Sequence, residues 1–289
     1  MLKLFCDTDC DMTPALAREY GYGLISMPYS EGEKTIYPYE DFEEFDCHGF
    51  YERLRGGLLP TTSSISEERY LHYFEPWFQQ GCDILYVHFS RAMSATFGAM
   101  DRAVALLKEK YPARRFYEID TKGISIPSLN IALEVGDLVK AGRSVDEILA
   151  WAETEVDKFA VYFYADDLKF FQRSGRVSGL AGTMGTLLGI RPIIYMSSAG
   201  KMESIGKEKG RPKALARLLQ YVDELGEDVK GHRVIIAQCD CQSQAEAAAS
   251  ELRRRFGEDL EILFSPVNPT AGAHCGPNCI GICFHAKHR

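Results

Sequence analysis

Short apolar runs recur along the chain, and most are followed by segments with helical spacing. Residues 2–6, 24–28, 84–89 and 116–119 read as strands, and the run 84–89 is apolar enough to be buried on both faces. Thr13 and Pro14 fit an N-cap and first helical position, with Gly21 near the stop. Ser66 is placed to cap a helix reaching Gln80, and helical spacing continues over 96–110 and 128–140. Ser144 and Glu147 form a capping box that opens a helix to Lys158. Strands alternating with helices of this length predict a parallel sheet with helices on both faces.

The rhythm changes near Phe159. Strands are predicted over 160–164, 192–196 and 202–206, the last two joined by the turn Ser197-Ser198-Ala199-Gly200. A further strand covers 234–238, Ser243 and Glu246 are read as capping a helix that ends near Gly257, and strands 260–264 and 280–284 follow. Adjacent strands dominate this half. The expected class is therefore α/β in two domains: a three-layer α/β/α domain with a parallel sheet over 1–157, and a two-layer α/β domain with a mixed sheet over 158–289. A length of 289 residues agrees with two domains at roughly 150 residues each.

Charge narrows the partners. Thirty-three Lys and Arg against 41 Asp and Glu leave a net −8, which argues against nucleic acid as a partner. The longest apolar runs fall far short of the ~20 residues of a membrane span, so no stable membrane insertion is expected. The opening MLKLFCDTDCD turns acidic within a few residues and does not read as a signal peptide. A soluble, cytoplasmic protein with its nine cysteines as thiols is expected.

Several clusters are candidates for chemistry. Asp7, Asp9 and Asp11 directly follow a strand, where α/β sheets place ligands. They admit a Mg-dependent phosphatase of the haloacid-dehalogenase type, using Asp7 and Asp9 with Asp166-Asp167 as a second acidic site, or simply a solvated turn and helix N-terminus favoured by carboxylates. Cys275, Cys279 and Cys283 with His274 nearby suggest a metal site, although their three-residue intervals are not a standard zinc spacing. The glycine-rich stretch 175–182 lacks the Lys-Ser/Thr ending of a phosphate-binding loop and contains one cation, Arg176. Hydroxyls cluster at Thr61-Thr62-Ser63-Ser64 and from Ser90 to Thr96, the second set where a helix opens and free amides can meet an anion. Lys201, Lys207, Lys209, Arg211, Lys213 and Arg217 concentrate positive charge in an otherwise acidic chain, as a solvated face or a docking surface.

Taken in order, these segments resemble the DegV family over nearly the whole chain. Asp7-Thr8-Asp9-Cys10-Asp11-Met12-Thr13 resembles its opening D-S-x-x-D-L-P, Pro60-Thr61-Thr62-Ser63-Ser64 its P-T-T-S-Q, and Ser90 to Phe97 its S-S-x-L-S-G-T-Y. Asp120-Thr121-Lys122 is similar to D-S/T-K. The most specific stretch runs from Asp166-Asp167-Leu168 to Gly175-Arg176-Val177-Ser178 and resembles D-D-L-x-x-L-x-x-G-R-I-S. Gly206 to Leu215 and His274-Cys275-Gly276-Pro277 resemble G-K-x-R-G-R-K-K-A-L and H-T-G-P-G. Departures lie at Ser64-Ile65, Ala95, Cys275 and Asn278-Cys279.

The resemblance implies a lipid carrier rather than an enzyme, with no cofactor. One long-chain fatty acid would lie in an apolar tunnel between the domains, its carboxylate met by Thr62, Ser94 and His274. Arg176 would stand at the cleft, and Lys209 and Arg211 would couple to a partner. That partner would be a separate ATP-dependent fatty acid kinase, related to dihydroxyacetone kinases, which phosphorylates the carboxylate to an acyl phosphate for phospholipid synthesis.

Overall fold

A computed structural model describes residues 1–179 and 189–289. The first half runs β1 (Leu2–Asp7), α1 (Pro14–Tyr20), β2 (Tyr22–Ile25), β3 (Tyr29–Glu31), β4 (Lys34–Ile36), α2 (Cys47–Arg55), β5 (Thr61–Thr62) and α3 (Glu67–Gln79). It continues through β6 (Asp83–His88), α4 (Thr96–Lys110), β7 (Phe116–Asp120), α5 (Ile126–Lys140) and α6 (Val145–Glu155). The second half runs β8 (Phe159–Tyr164), α7 (Leu168–Ser174), β9 (Val177–Ser178), β10 (Ile190–Met196), β11 (Met202–Lys209) and α8 (Arg211–Leu225). It closes with β12 (Val234–Gln238), α9 (Gln242–Phe256), β13 (Ile262–Pro266), α10 (Pro269–Cys275) and β14 (Ile280–His285).

The first sheet is parallel throughout, in the order β2-β1-β6-β7. The second is mixed and seven-stranded, β13-β12-β14-β8-β10-β11-β9. Both accord with the α/β class read from the sequence. A small antiparallel sheet, β4-β3-β5, was not anticipated; its strands are two or three residues long, too short for a periodicity to register.

Period-two alternation in the second sheet sorts its side chains into two cores. Ala160, Tyr162 and Tyr164 of β8 join Ile280, Ile282 and Phe284 of β14 and Val234 and Ile236 of β12 in a core with α8 and α9. The intervening Val161, Phe163, Ile235, Ala237 and Cys283 belong to a second core, continuous with that of the first sheet. Strands buried on both faces explain why these segments read as nearly unbroken apolar runs. Helix α5 lies between the sheets, contacting β6 on one side and β8, β12 and β14 on the other. From Ile126 to Gly136 every residue but Glu134 is buried, as a helix enclosed between two sheets requires, and only its last turn reaches solvent. Gly136 keeps that packing close: a Cβ there would stand 2.3 Å from Cδ1 of Tyr20.

Two predicted helix starts shift. Helix α5 begins at Ile126 with Pro127 in its first turn, before the expected Ser128. Helix α9 begins at Gln242 rather than after Ser243: its N-cap is Cys241, which makes no side-chain cap bond and whose own amide donates to Gln238 Oε1 at 2.7 Å.

Candidate functional site

A cavity of about 190 Å³ lies between the two sheets, more than ten times the ~10–15 Å³ that one water needs. One wall is the face of the second sheet that turns toward α5: Val161, Phe163, Met196, Met202, Ala237 and Gly281. Small residues at 237 and 281 open the space. A Cβ at Gly281 would already stand 3.1 Å from that of Phe163. Met27, Phe89, Ile124 and Ile126 supply apolar surface from the first half.

The polar lining is concentrated in a few loops. Thr62 lies on β5, paired with Tyr29 of β3, and the Ile65 amide donates to Thr96 Oγ1 at 3.3 Å, tying this segment to the start of α4. Ser94 follows a short 3-10 turn and its hydroxyl oxygen accepts from the Thr96 amide at 3.2 Å. The neighbouring Ser90 hydroxyl donates to the Gly200 carbonyl at 2.8 Å, so the turn 197–200 of one half docks on the loop of the other. Gly200 has φ +72°, and a Cβ there would meet Ser90 Oγ at 2.2 Å; glycine is required at that contact.

His274 comes from α10, whose N-cap Asn268 accepts from the Ala271 amide and whose first residue is Pro269. Its Nε2 is 2.9 Å from Thr62 Oγ1. Burial first, then the cations Arg176 and Arg173, push its pKa down to about 4. The ring is therefore a neutral imidazole at neutral pH. Arg176 follows Gly175, which ends α7 in the left-handed conformation (φ +65°), and its Nη1 donates to the Ser174 carbonyl at 2.5 Å.

Thr62, Ser94, Arg176 and His274 thus line one cavity. Lys209 and Arg211 do not line it. Lys209 is exposed at the end of β11, and Arg211 is paired to Asp166, Nη2 to Oδ2 at 2.5 Å and Nε to Oδ1 at 3.0 Å. Arg191 meets the same carboxylate at 2.5 Å, and the two guanidiniums outweigh burial to hold Asp166 below the usual carboxylate range. Asp166 is a structural anchor for the β10–α8 corner.

The phosphatase reading fails on the same geometry. Asp7 is fully buried and accepts from the Cys10 and Phe89 amides and the Tyr86 hydroxyl, so no oxygen is free to attack a phosphate. The cysteine metal site is not assembled either. Cys275 and Cys279 line the cavity, whereas Cys283 receives Asn130 Nδ2 at 3.8 Å. Among the described residues, the group whose ligating atoms converge is the exposed one of His48, Glu52 and Asp240. Part of the glycine-rich stretch, 180–188, lies outside the described residues.

Sequence reasoning passed over Arg173, Ser125 and Thr270 near the site. Thr270 had a usable signal, since Asn268-Pro269 is an N-cap followed by a first-turn proline.

The DegV family model matches residues 1–287. The chain belongs to the DegV family. Among its relatives, the DegV domain-containing protein CPE0026 of Clostridium perfringens is 30% identical over 281 residues, covering 97% of this chain and 96% of its own. Solved structures share the fold of this DegV protein along its length. A fatty-acid-binding DegV family protein from Thermus thermophilus superposes with a TM-score of 0.85 at 22% identity, covering 99% of each chain. A stearic-acid-binding protein from Eubacterium ventriosum reaches 0.86 at 19% identity with the same coverage. No helix among the described residues is long and apolar enough to cross a membrane.

Proposed function

We propose that this DegV protein is a non-enzymatic lipid carrier that holds one long-chain fatty acid in the cavity between its two halves, taken as residues 1–157 and 158–289. Thr62, Ser94 and His274 receive the carboxylate, and Arg176 supplies positive potential beside it. The observation that carries this reading is the composition of the cavity: apolar walls from both halves, together with the Thr62 and Ser94 hydroxyls, the neutral His274 imidazole and the Arg176 guanidinium. A carboxylate leaving water needs several donors, or it takes up a proton. Each buried methylene adds about 0.8 kcal/mol gross, so an acyl chain drives its own insertion. The fatty-acid-binding members of the family with this fold support the assignment.

Neutral donors hold the carboxylate without a fixed ion pair, which suits a ligand that must react there. The carrier accordingly presents the carboxyl end to a separate fatty acid kinase of the dihydroxyacetone-kinase type and carries away acyl phosphate, in the cytoplasm. Lys209, and Arg211 through its Asp166 pair, lie on the coupling face. Denaturing extraction followed by mass spectrometry should release about one long-chain fatty acid per chain, and empty protein that refuses stearic acid overturns the carrier reading. With ATP and such a kinase, hydroxylamine trapping should yield acyl hydroxamate only when both proteins are present. Equal product from the kinase alone overturns the presentation step.

A further inference from the structure

The three aspartates at and just beyond the end of β1 are employed unevenly. Asp7 has its oxygens turned to the Cys10, Phe89 and Tyr86 donors. Asp11 accepts from the hydroxyls of Ser125 and Ser265 and from both nitrogens of Asn268. Asp9 stands apart. Only 6% exposed, it lines the acyl cavity, and its Oδ1 is buried with no hydrogen-bond partner among the described residues. The backbone around it is held, since the Asp9 carbonyl accepts from the Ser125 amide at 2.7 Å.

An unsatisfied buried carboxyl is costly to keep, and one that lines a cavity calls for a ligand-side partner. Burial, reinforced by the charges of Asp7 and Asp11, raises its pKa well above the usual carboxylate range. That direction favours the protonated form, which has one O–H to donate and a carbonyl oxygen to accept. A cation is a poor occupant. The oxygens of Asp7 and Asp11 face protein donors, and the convergent ligating group among the described residues lies elsewhere, at His48, Glu52 and Asp240.

We propose that Asp9 determines which acyl chain the cavity takes: a long-chain fatty acid carrying a hydroxyl or oxo group at the carbon that passes Asp9. This rests on the fatty-acid reading above. A plain methylene chain leaves the acid unpaired, whereas a chain hydroxyl both accepts its proton and donates to its carbonyl. Sites built around a hydrogen-bonding group discriminate strongly against analogues that lack the partner.

The test compares stearic acid with a positional series of monohydroxystearic acids, each titrated against delipidated full-length protein. One isomer, or two adjacent ones, should bind about tenfold or more tightly than stearic acid. Asp9→Asn, which keeps a donor and an acceptor, should retain most of that preference. Asp9→Ala should abolish it and tighten stearic acid. The proposal is overturned if no isomer is preferred, or if the preference survives Asp9→Ala. If Asp9→Ala fails to fold, Asp9→Leu decides by the same loss or survival of preference, and the wild-type series decides alone if neither folds. Stearic acid binding with no preference among isomers overturns this proposal and leaves the carrier reading standing. Failure of every acid to bind overturns both.

Discussion

His274 carries the electrostatic behaviour of the site. Its pKa is held near 4 in the folded chain against an ordinary 6.5, by burial and then by Arg176 and Arg173. Between those values the unfolded chain binds a proton that the folded chain does not, so stability rises with pH across this window. The contribution of His274 is therefore complete above pH 6.5 and lost as pH falls toward 4, by up to about 3 kcal/mol. His274→Gln should flatten the stability profile in this range relative to wild type, as measured by urea unfolding at successive pH values; parallel profiles would place the imidazole in water. A bound carboxylate favours the imidazolium. The His274 ring resonances should accordingly titrate at higher pH with stearic acid than without it. Thr62, Ser94, Arg176 and His274, which line one cavity, were singled out by the order of their motifs and the resemblance that order carries. Hydroxyls after a strand serve equally as helix caps, and a lone imidazole has no chemical signature of its own. Asp9 was visible only as one of three aspartates, since hydrogen-bond partners drawn from residues as distant as Tyr86 and Asn268 decide which of the three is left over.

Helix α10 shows how one element serves both fold and site. Asn268 caps it, and the same side chain donates to Asp11 Oδ1 at 2.6 Å, fastening the helix to the end of β1. Burial raises the Asp11 pKa to about 6, against the pull of bonds from Ser125, Asn268 and Ser265. A carboxyl raised in this way stabilises most when protonated, and the benefit fades as pH rises from 3.8 to about 6. Asn268→Ala removes a cap and a bond to a charged group, together about 2–4 kcal/mol at pH 7. The deficit should shrink in acid, where Asp11 is neutral, and fatty-acid affinity should fall because His274 rides on the same helix. An equal deficit at both pH values would mean that Asp11 stays protonated throughout. Ser243→Ala should leave stability unchanged within about 0.5 kcal/mol, since Ser243 lies inside α9 and its side chain makes no cap bond. The long two-faced strands were legible as nearly unbroken apolar runs. Helices α7 and α10, seven residues each, are too short for a 3.6-residue period to stand out. Helix α8 was hidden by the charges at its start, which drew attention as a basic patch before its apolar face, Ala214, Leu218, Leu219 and Val222, could be read.

Across the whole molecule, the net charge of −8 conceals a positive edge on β11, where Lys207 and Lys209 are exposed. Lys209→Glu should slow acyl phosphate formation with the kinase at low salt, the difference narrowing as salt screens it, while fatty-acid affinity stays constant. Arg211→Glu is a different experiment, because it sets two carboxylates together at Asp166 and should destabilise the β10–α8 corner itself. How the halves join was not legible, since the pattern along the chain marks α5 as apolar but not as shared. Its position between the sheets makes one continuous core of residues as far apart in sequence as Leu4 and Cys283. Asn130 Nδ2, from the middle of α5, donates to the Arg233 carbonyl at 2.9 Å. Arg233 in turn pairs with Asp137 at 2.6 Å and Glu261 at 3.1 Å. Neither half can unfold without stripping α5 from the other, so calorimetry should show one cooperative transition despite the two-sheet architecture. Ligand at a hundred times Kd should raise that single transition, by about 2.7 kcal/mol at 25 °C, because the cavity walls come from both halves. Two separated transitions, of which stearic acid moves only one, would mean that the halves unfold independently and that one of them alone supplies the binding energy.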